Sequence, residues 1–243
     1  MNHICVSCYN INNLDWLKEY SNPITVYDKT WNGGFAGMDD SIPTAPTVLQ
    51  KNYPQYKIIN ASVKGYNIHD YLTFIIDNYH SFPDVTVFIK GNIIGRHVTK
   101  PYLDSVINNK TFTPIQDWEY LSTQNNMNTN YMMFSCDGSW LETNDSWYMS
   151  HFKLPKKYFQ TYNDFLKFCF VNPVIPKYIQ FPPGGNFIVP KEYIYKYNLN
   201  FYKNLRLFID HSRVSAEAHL IERALYTIWT CNFKTTEKIN LPL

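Results

Sequence analysis

The alternation of apolar and polar positions is clearest between residues 57 and 97, where it predicts a strand, a helix and a second strand. Residues 57–61 read as a short strand. Apolar side chains then recur every three or four residues and share one helix face: Ile68, Leu72, Ile75, Ile76 and Tyr79. Asn67 is predicted to cap the start of this helix, and Pro83 prevents its continuation. Residues 85–90 are apolar and β-branched, as in a buried strand, which completes a βαβ unit.

Two short segments lie at the predicted carboxyl ends of these strands, where βαβ units bind their ligands. The segment 63–67, Val-Lys-Gly-Tyr-Asn, leads into the helix. The segment after the second strand contains Lys90, Gly91, Asn92, Arg96 and His97. We interpret the unit as the donor-binding half of a site.

The rest of the chain carries a weaker pattern. It predicts strands at 4–9 and 24–27, and helices at 14–20, 101–109 and 158–170. Long loops are predicted at 28–54 and 111–151; loops of this length often serve as lids or binding segments. No internal repeat or interdomain linker stands out.

The carboxyl-terminal part begins with a rigid Pro-Pro-Gly-Gly turn that contains Gly184 and Gly185, followed by a strand at 186–189. Pro190 then opens a helix. In the last predicted helix, 215–230, the apolar face consists of Leu220, Ile221, Ala224, Leu225 and Ile228. Glu217 falls on that same face, so its carboxylate must be either buried with a partner or turned toward a cavity. Glu222 and Arg223 lie off the apolar stripe.

Composition limits the functions that this fold can carry. The 243 residues have a net charge of +2, and 17% of them are charged. This charge is too small to attract nucleic acid or a membrane surface electrostatically. The 20 tyrosines and 16 phenylalanines suit stacking on sugars or bases, but they equally suit a tyrosine-rich core. The five cysteines are scattered and odd in number, so we expect free thiols and not a zinc site. Neither a membrane span nor a signal peptide is predicted, and the expected location is cytoplasmic.

Short motifs along nearly the whole chain resemble an uncharacterised domain family of fungi, bacteria and large DNA viruses. The central motifs are Gly65-Tyr66-Asn67, Tyr71-Leu72, Ile76-Asp77-Asn78-Tyr79, Pro83-Asp84, Val87-Phe88 and Gly91. Flanking motifs are Asp15-Trp16-Leu17, Gly185 with Phe187 and Val189, and Glu222-Arg223 with Tyr226 and Trp229. The family is related in pattern to the GT-A glycosyltransferases. Its Arg and Glu are replaced here by Tyr66 and Asn67, and Gly91-Asn92 stands where many GT-A enzymes have a metal-binding Asp-x-Asp.

The resemblance implies a single GT-A-like, Rossmann-like α/β domain over residues 1–243, with a central, mostly parallel sheet flanked by helices and long loops. Residues 1–110 would bind a UDP- or GDP-linked sugar, and residues 111–243 would form the acceptor half. The donor-binding candidates are Lys64, Gly65, Tyr66, Asn67, Lys90, Gly91, Asn92, Arg96 and His97. The acceptor-side candidates are Gly184, Gly185 and Asn186. The missing Asp-x-Asp leaves a manganese or magnesium requirement open.

A transferase that inverts configuration needs a general base near the acceptor hydroxyl. Glu217 is the candidate, with Asp137 in reserve, and we expect a crevice beside Gly65 and Gly91 to hold the pyrophosphate. Each group of candidates also has a purely structural interpretation. Lys64, Lys90, Arg96 and His97 would form a solvated basic edge, and Tyr66 would be a packing tyrosine. The segment 184–186 would be a plain turn, and Glu217 would be an acid that offsets the helix dipole.

The predicted function is sugar transfer from a nucleotide donor to an unknown acceptor, which is a glycan, a protein or a modified DNA base. A viral source would place the chain in the host cytoplasm or the virion. The alternative is a catalytically inactive GT-A-like domain that binds glycans or scaffolds a partner. A nucleic-acid module that stacks bases on tyrosine is a third hypothesis, against which the net charge of +2 argues.

Overall fold

A computed structural model describes residues 1–9, 13–32, 41–123, 132–134, 139–144, 154 and 156–243. Its strands are β1 His3–Cys8, β2 Ile24–Asp28, β3 Lys57–Asn60, β4 Val85–Lys90, β5 Thr113–Pro114, β6 Met132–Phe134, β7 Trp140–Thr143, β8 Tyr178–Phe181 and β9 Phe187–Pro190. Its α-helices are α1 Val48–Asn52, α2 Tyr66–Asn78, α3 Lys100–Val106, α4 Trp118–Thr123, α5 Tyr162–Cys169, α6 Lys191–Ile194, α7 Leu199–Ile209 and α8 Ala216–Thr230. Short 3-10 turns cover Asp15–Glu19, Thr30–Asn32, Tyr79–Ser81 and Lys238–Asn240.

The central sheet has the strand order β3-β2-β1-β4-β9-β5. Strands β1 to β4 run parallel, whereas β9 is antiparallel to both β4 and β5. A smaller antiparallel sheet has the order β6-β7-β8. The predicted α/β class, with a mostly parallel central sheet flanked by helices, is confirmed.

The two faces of the central sheet bury separate hydrophobic clusters because side chains alternate along each strand. On β4, Phe88 belongs to the cluster that contains residues of α2, α5, α7 and α8, while Val87 belongs to the cluster that contains residues of α1 and α3. The strands are apolar on both sides, as is usual for parallel strands that are covered twice.

The chain reverses its direction across the sheet next to β1. Strands β2 and β3 are added on one side of β1, and the chain then returns to place β4 on the other side. The carboxyl ends of β1 and β4 therefore lie side by side, with Ser7 in register with Lys90, at the point where the strand order reverses. Such a topological switch point is where open α/β sheets bind ligands.

The predicted βαβ unit is confirmed as β3, α2 and β4, but the predicted cap of its helix is wrong. Gly65, with a φ of 62°, occupies the N-cap position, and no side chain caps the helix. The Asn67 amide instead donates a 2.8 Å hydrogen bond to the Gly184 carbonyl. A contact between residues so distant in sequence cannot be inferred from local capping preferences.

The two long predicted loops contain more regular structure than their composition indicates. Helix α1 lies within 28–54 and begins at a capping box made by Thr47 and Gln50. The segment 111–151 includes β5, α4, β6 and β7. The last helix ends at Thr230 as predicted, with Ser215 capping its start.

Within the described ranges, none of the helices has both the length and the apolar character needed to cross a bilayer. The described cysteines Cys5, Cys8, Cys169 and Cys231 are free thiols.

Candidate functional site

Lys90 ends β4 at the switch point, and its ammonium makes no hydrogen bond or ion pair with any described residue. Its backbone N–H donates to the Asn186 side-chain oxygen at 3.1 Å, which fixes the end of the strand. Burial lowers the pKa of Lys90, Glu222 acts in the opposite direction, and Arg96 lowers the pKa further. Lys90 is therefore partly buried, and it lies next to a second, solvent-exposed cation, Arg96.

His97 lies in the turn after Arg96 and is 8% exposed. Its Nε2 has no hydrogen-bond partner among the described residues. Burial, Lys90 and Arg96 together lower the pKa of His97 to about 3, so the imidazole is neutral at physiological pH. A buried ring nitrogen without a partner is costly, and a ligand oxygen would satisfy it.

The turn that contains Gly184 joins the predicted donor and acceptor segments. Its carbonyl accepts from Asn67, and its N–H donates to a Glu222 carboxylate oxygen at 3.3 Å. Gly184 has a φ of 83°, and a Cβ there would lie 3.0 Å from His97 Nε2. Gly185 is also left-handed, with a φ of 61°. Glycine is therefore required here both by backbone conformation and by the close approach of the histidine.

Helix α8 contributes two residues that the sequence analysis did not propose, His219 and Glu222. The His219 ring lies 4.7 Å from the Tyr66 ring, measured between centroids. Burial lowers the pKa of His219 to about 4 although Glu222 opposes the shift. The Glu222 side chain is 12% exposed. Its negative charge raises the pKa of Lys90. The two residues are three apart and so share a helix face, which was the available sequence signal.

Glu217 lies on the apolar face of α8, one turn before Leu220 and Ile221, and is completely buried. Its Oε1 accepts from the N–H groups of Lys157 and Tyr158, each at 2.7 Å, and its Oε2 lies 3.0 Å from His211 Nε2. Burial acts to raise the pKa of Glu217, but these hydrogen bonds outweigh it and hold the pKa below its usual value. Of the two expected environments, Glu217 has the buried one with partners.

The two glycines of the expected pyrophosphate crevice pack against protein. A Cβ at Gly65 would lie 2.9 Å from the Ile209 side chain, and one at Gly91 would lie 2.6 Å from Cys8 Sγ. Their N–H groups donate to the carbonyls of Ser212 and Ser7, respectively. The space that a side chain would take at both positions is thus filled, and the nearest cation in sequence is the partly buried Lys90, which precedes Gly91.

The remaining candidates are Lys64, Asn92, Asn186 and Asp137. Lys64 is partly buried before the turn into α2, and Asn92 is partly buried in the turn after β4. Asn186 donates to the Pro183 carbonyl at 3.1 Å and so braces the glycine turn. Asp137 lies outside the described residues.

The residues after β4 do not fit a divalent cation, because Gly91-Asn92 offers no carboxylate. Among the residues that the structure describes, no three His, Cys, Asp or Glu side chains come close enough to hold a metal ion.

A family model described as "Protein of unknown function (DUF3431)" matches residues 4–242. The chain belongs to this family. No curated protein and no solved structure matches the chain. The expected membership in an uncharacterised domain family is confirmed.

In this DUF3431 protein, the site combines two cations, a neutral histidine and a carboxylate around a glycine turn. Lys90 and Arg96 suit an anionic ligand such as a phosphate, because charge-assisted hydrogen bonds to phosphate oxygens are strong. Glu222 is the carboxylate that acts electrostatically on Lys90, where it raises the pKa of the ammonium.

Proposed function

We propose that this protein is a glycosyltransferase of GT-A type that moves a sugar from a UDP- or GDP-linked donor to a hydroxyl acceptor. The observation that carries the proposal is the partly buried Lys90 ammonium, which has no counter-ion bond to the described residues. A charge that is partly removed from water is less favourable unless a partner of opposite charge satisfies it. A diphosphate is such a partner, and Arg96 supplies a second cation for its other phosphate.

The position of Lys90 supports a nucleotide ligand. It ends β4 beside the switch point between β1 and β4, where mononucleotides bind in open α/β sheets. Tyr66 opens α2 with its ring near His219, which offers an aromatic surface to the base or the sugar.

Sugar transfer assigns a role to each group of the site. Glu222 takes the proton of the acceptor hydroxyl, whose oxygen forms a bond to the anomeric carbon. The bond between that carbon and the diphosphate oxygen breaks, and its electron pair leaves on the diphosphate. Lys90 and Arg96 offset the negative charge that develops on the diphosphate. His97 Nε2 forms a hydrogen bond with an oxygen of the nucleotide sugar. No step is assigned to a metal ion.

One sequence feature favours the alternative of a catalytically inactive domain that binds glycans or scaffolds a partner. Gly91-Asn92 replaces the acidic metal motif of many GT-A enzymes. Such a domain would bind a nucleotide or a glycan without releasing UDP or GDP from any donor.

The proposal is tested by incubating the protein with UDP- and GDP-sugars, with and without manganese, and measuring nucleotide release and transfer. We expect Glu222→Gln to slow release by roughly a hundredfold or more, as the loss of a general base does. Its nucleotide affinity should stay unchanged. The control Glu237→Gln alters an exposed glutamate and should leave both quantities unchanged. Equal rates in Glu222→Gln and the native protein would exclude Glu222 as the base. Binding without release from any donor would favour the inactive domain.

A further inference from the structure

A charged pair is completely buried where β1, β2 and α2 meet. Lys29 directly follows β2 and is 1% exposed, and Asp70 of α2 is 0% exposed. Lys29 Nζ lies 3.0 Å from Asp70 Oδ1, while Asp70 Oδ2 accepts a 2.6 Å hydrogen bond from Ser7 Oγ. Removing two charges from water costs much of what their attraction returns, so the pair is poorly explained as a source of stability alone.

The other hydrogen bonds of Lys29 go to the turn that opens α2. Its ammonium donates to the Lys64 carbonyl at 3.3 Å and to the Tyr66 carbonyl. Between these carbonyls the backbone is left-handed at two successive residues, Gly65 with a φ of 62° and Tyr66 with a φ of 53°. A tyrosine in this conformation is strained, and such strain persists only where surrounding contacts enforce it.

This turn determines where the Tyr66 ring lies. The ring packs against His219, which shares a helix face with Glu222. The next residue, Asn67, hydrogen-bonds the Gly184 carbonyl. The Lys29–Asp70 pair is therefore linked, through the turn into α2, to the Tyr66–His219 contact and to the Asn67–Gly184 hydrogen bond. Neither Lys29 nor Asp70 contacts Lys90, Arg96 or Glu222 in the described structure.

We propose that Lys29 and Asp70 form a positioning pair that holds Tyr66 in its left-handed turn, so that the ring is presented as a stacking surface for the nucleoside part of the donor. This inference rests on the proposed function, because it assigns the base or ribose of a UDP- or GDP-linked donor to Tyr66. It predicts that the pair affects nucleoside recognition and leaves diphosphate recognition to Lys90 and Arg96.

The test compares three ligands, UDP, GDP and inorganic pyrophosphate, by titration calorimetry. The double variant Lys29→Met/Asp70→Asn removes both charges together, which avoids leaving one buried charge alone. We expect its affinity for UDP or GDP to fall roughly tenfold, the usual scale for loss of one stacking contact, with pyrophosphate affinity unchanged. Tyr66→Asn tolerates the left-handed conformation but lacks the ring, so it should show the same loss. Combining all three substitutions should add no further loss, because they remove one interaction.

The matched control is Lys191→Met/Asp84→Asn, which removes an exposed ion pair of 2.6 Å and should change no affinity. Additive losses with Tyr66→Asn, or equal losses for pyrophosphate and nucleotide, would overturn the positioning role. Hydrogen exchange supplies a readout without ligand: the Gly65 and His69 amides, bonded to the Ser212 and Gly65 carbonyls, should exchange faster in the double variant. Unchanged exchange would also overturn it. If the native protein binds none of the three ligands, the proposed function fails while the exchange data still decide the role of the pair.

Discussion

Glu217 and Glu222 lie on the same helix five residues apart, and their surroundings give them different tasks. The Glu217 carboxylate accepts bonds from two backbone N–H groups and approaches His211. Glu222 accepts one longer bond, from Gly184, lies 4.0 Å from Arg223 Nη1, and acts electrostatically on Lys90. A carboxylate bonded at both oxygens by its own protein anchors structure, whereas one that faces cations at a switch point is available to a ligand.

We expect Glu217→Ala to lower the free energy of unfolding by about 1–3 kcal/mol, because the part-buried N–H groups of Lys157 and Tyr158 lose their acceptor. Urea unfolding at pH 7 measures the change. Glu222→Gln, which retains an acceptor for Gly184, should stay within about 0.5 kcal/mol of the native protein. A stable Glu217→Ala variant would show that this carboxylate does not anchor the segment that contains Lys157 and Tyr158.

The stabilisation from Glu217 should depend on pH. Its pKa is lower in the folded protein than the usual 4.5, so the contribution is complete above pH 4.5 and is lost as the pH falls through the folded pKa. The difference in unfolding free energy between native protein and Glu217→Ala should therefore shrink in acid. A difference that is constant from pH 7 down to the acid limit of folding would contradict the assigned hydrogen bonds.

Lys90 gives a second pH dependence, at the alkaline end. Burial and Arg96 lower the pKa of Lys90 below 10.5, although Glu222 opposes the shift, and only the charged form attracts a phosphate. Affinity for UDP or GDP should therefore fall as the pH rises toward 10. Lys90→Arg should retain whatever affinity it has across this range, because arginine stays protonated. Calorimetric titrations at pH 7 and above measure the nucleotide affinity of the native protein and of Lys90→Arg. Identical pH profiles for the two proteins would contradict the role of Lys90.

At the scale of elements, the glycine turn before β9 is the junction of the site. It contacts α2 through Asn67, α8 through Glu222 and the segment after β4 through His97. A turn with so many tertiary contacts should be sensitive to small changes in volume.

Gly184→Ala tests this sensitivity against a matched glycine. Gly184 and Gly95 both have positive φ values, 83° and 77°, but an added methyl meets His97 Nε2 at 3.0 Å at Gly184 and open space at Gly95. Gly95→Ala should cost about 1 kcal/mol of stability from backbone strain alone. Gly184→Ala should cost about 1–3 kcal/mol more and weaken nucleotide binding. Equal effects of both substitutions, measured by denaturant unfolding, would show that the turn is not packed tightly against His97.

The βαβ unit could be predicted because apolar periodicity is a local property. Lys90 and His97 could be proposed because they lie at and after the end of a buried strand. It failed where distant contacts decide. Asn67 looks like a cap until Gly184 is known to lie beside it. Glu222 lies off the apolar stripe, and helical phase predicts which face is buried but not what the polar face contacts. The short strands of the small sheet carry too few residues for a clear alternation.

At the scale of the whole molecule, the strand order brings together segments from three parts of the chain. Strand β9 is antiparallel to β4 and pairs Phe88 with Phe187, which places the turn at 184–186 beside the end of β4. Helix α8 packs on the same face of the sheet as α2. The residues at the switch point therefore derive from both the predicted donor half and the predicted acceptor half.

The central claim is that Lys90, at the end of β4, binds the diphosphate of a nucleotide. Titration calorimetry of UDP and GDP against native protein, Lys90→Met and the control Lys51→Met tests it, because Lys51 is an exposed lysine of α1. We expect Lys90→Met to weaken nucleotide binding by roughly tenfold to a hundredfold, the usual scale for a charged hydrogen bond, and Lys51→Met to have no effect. Equal affinities in Lys90→Met and the native protein, or no binding of either nucleotide to the native protein, would contradict the claim.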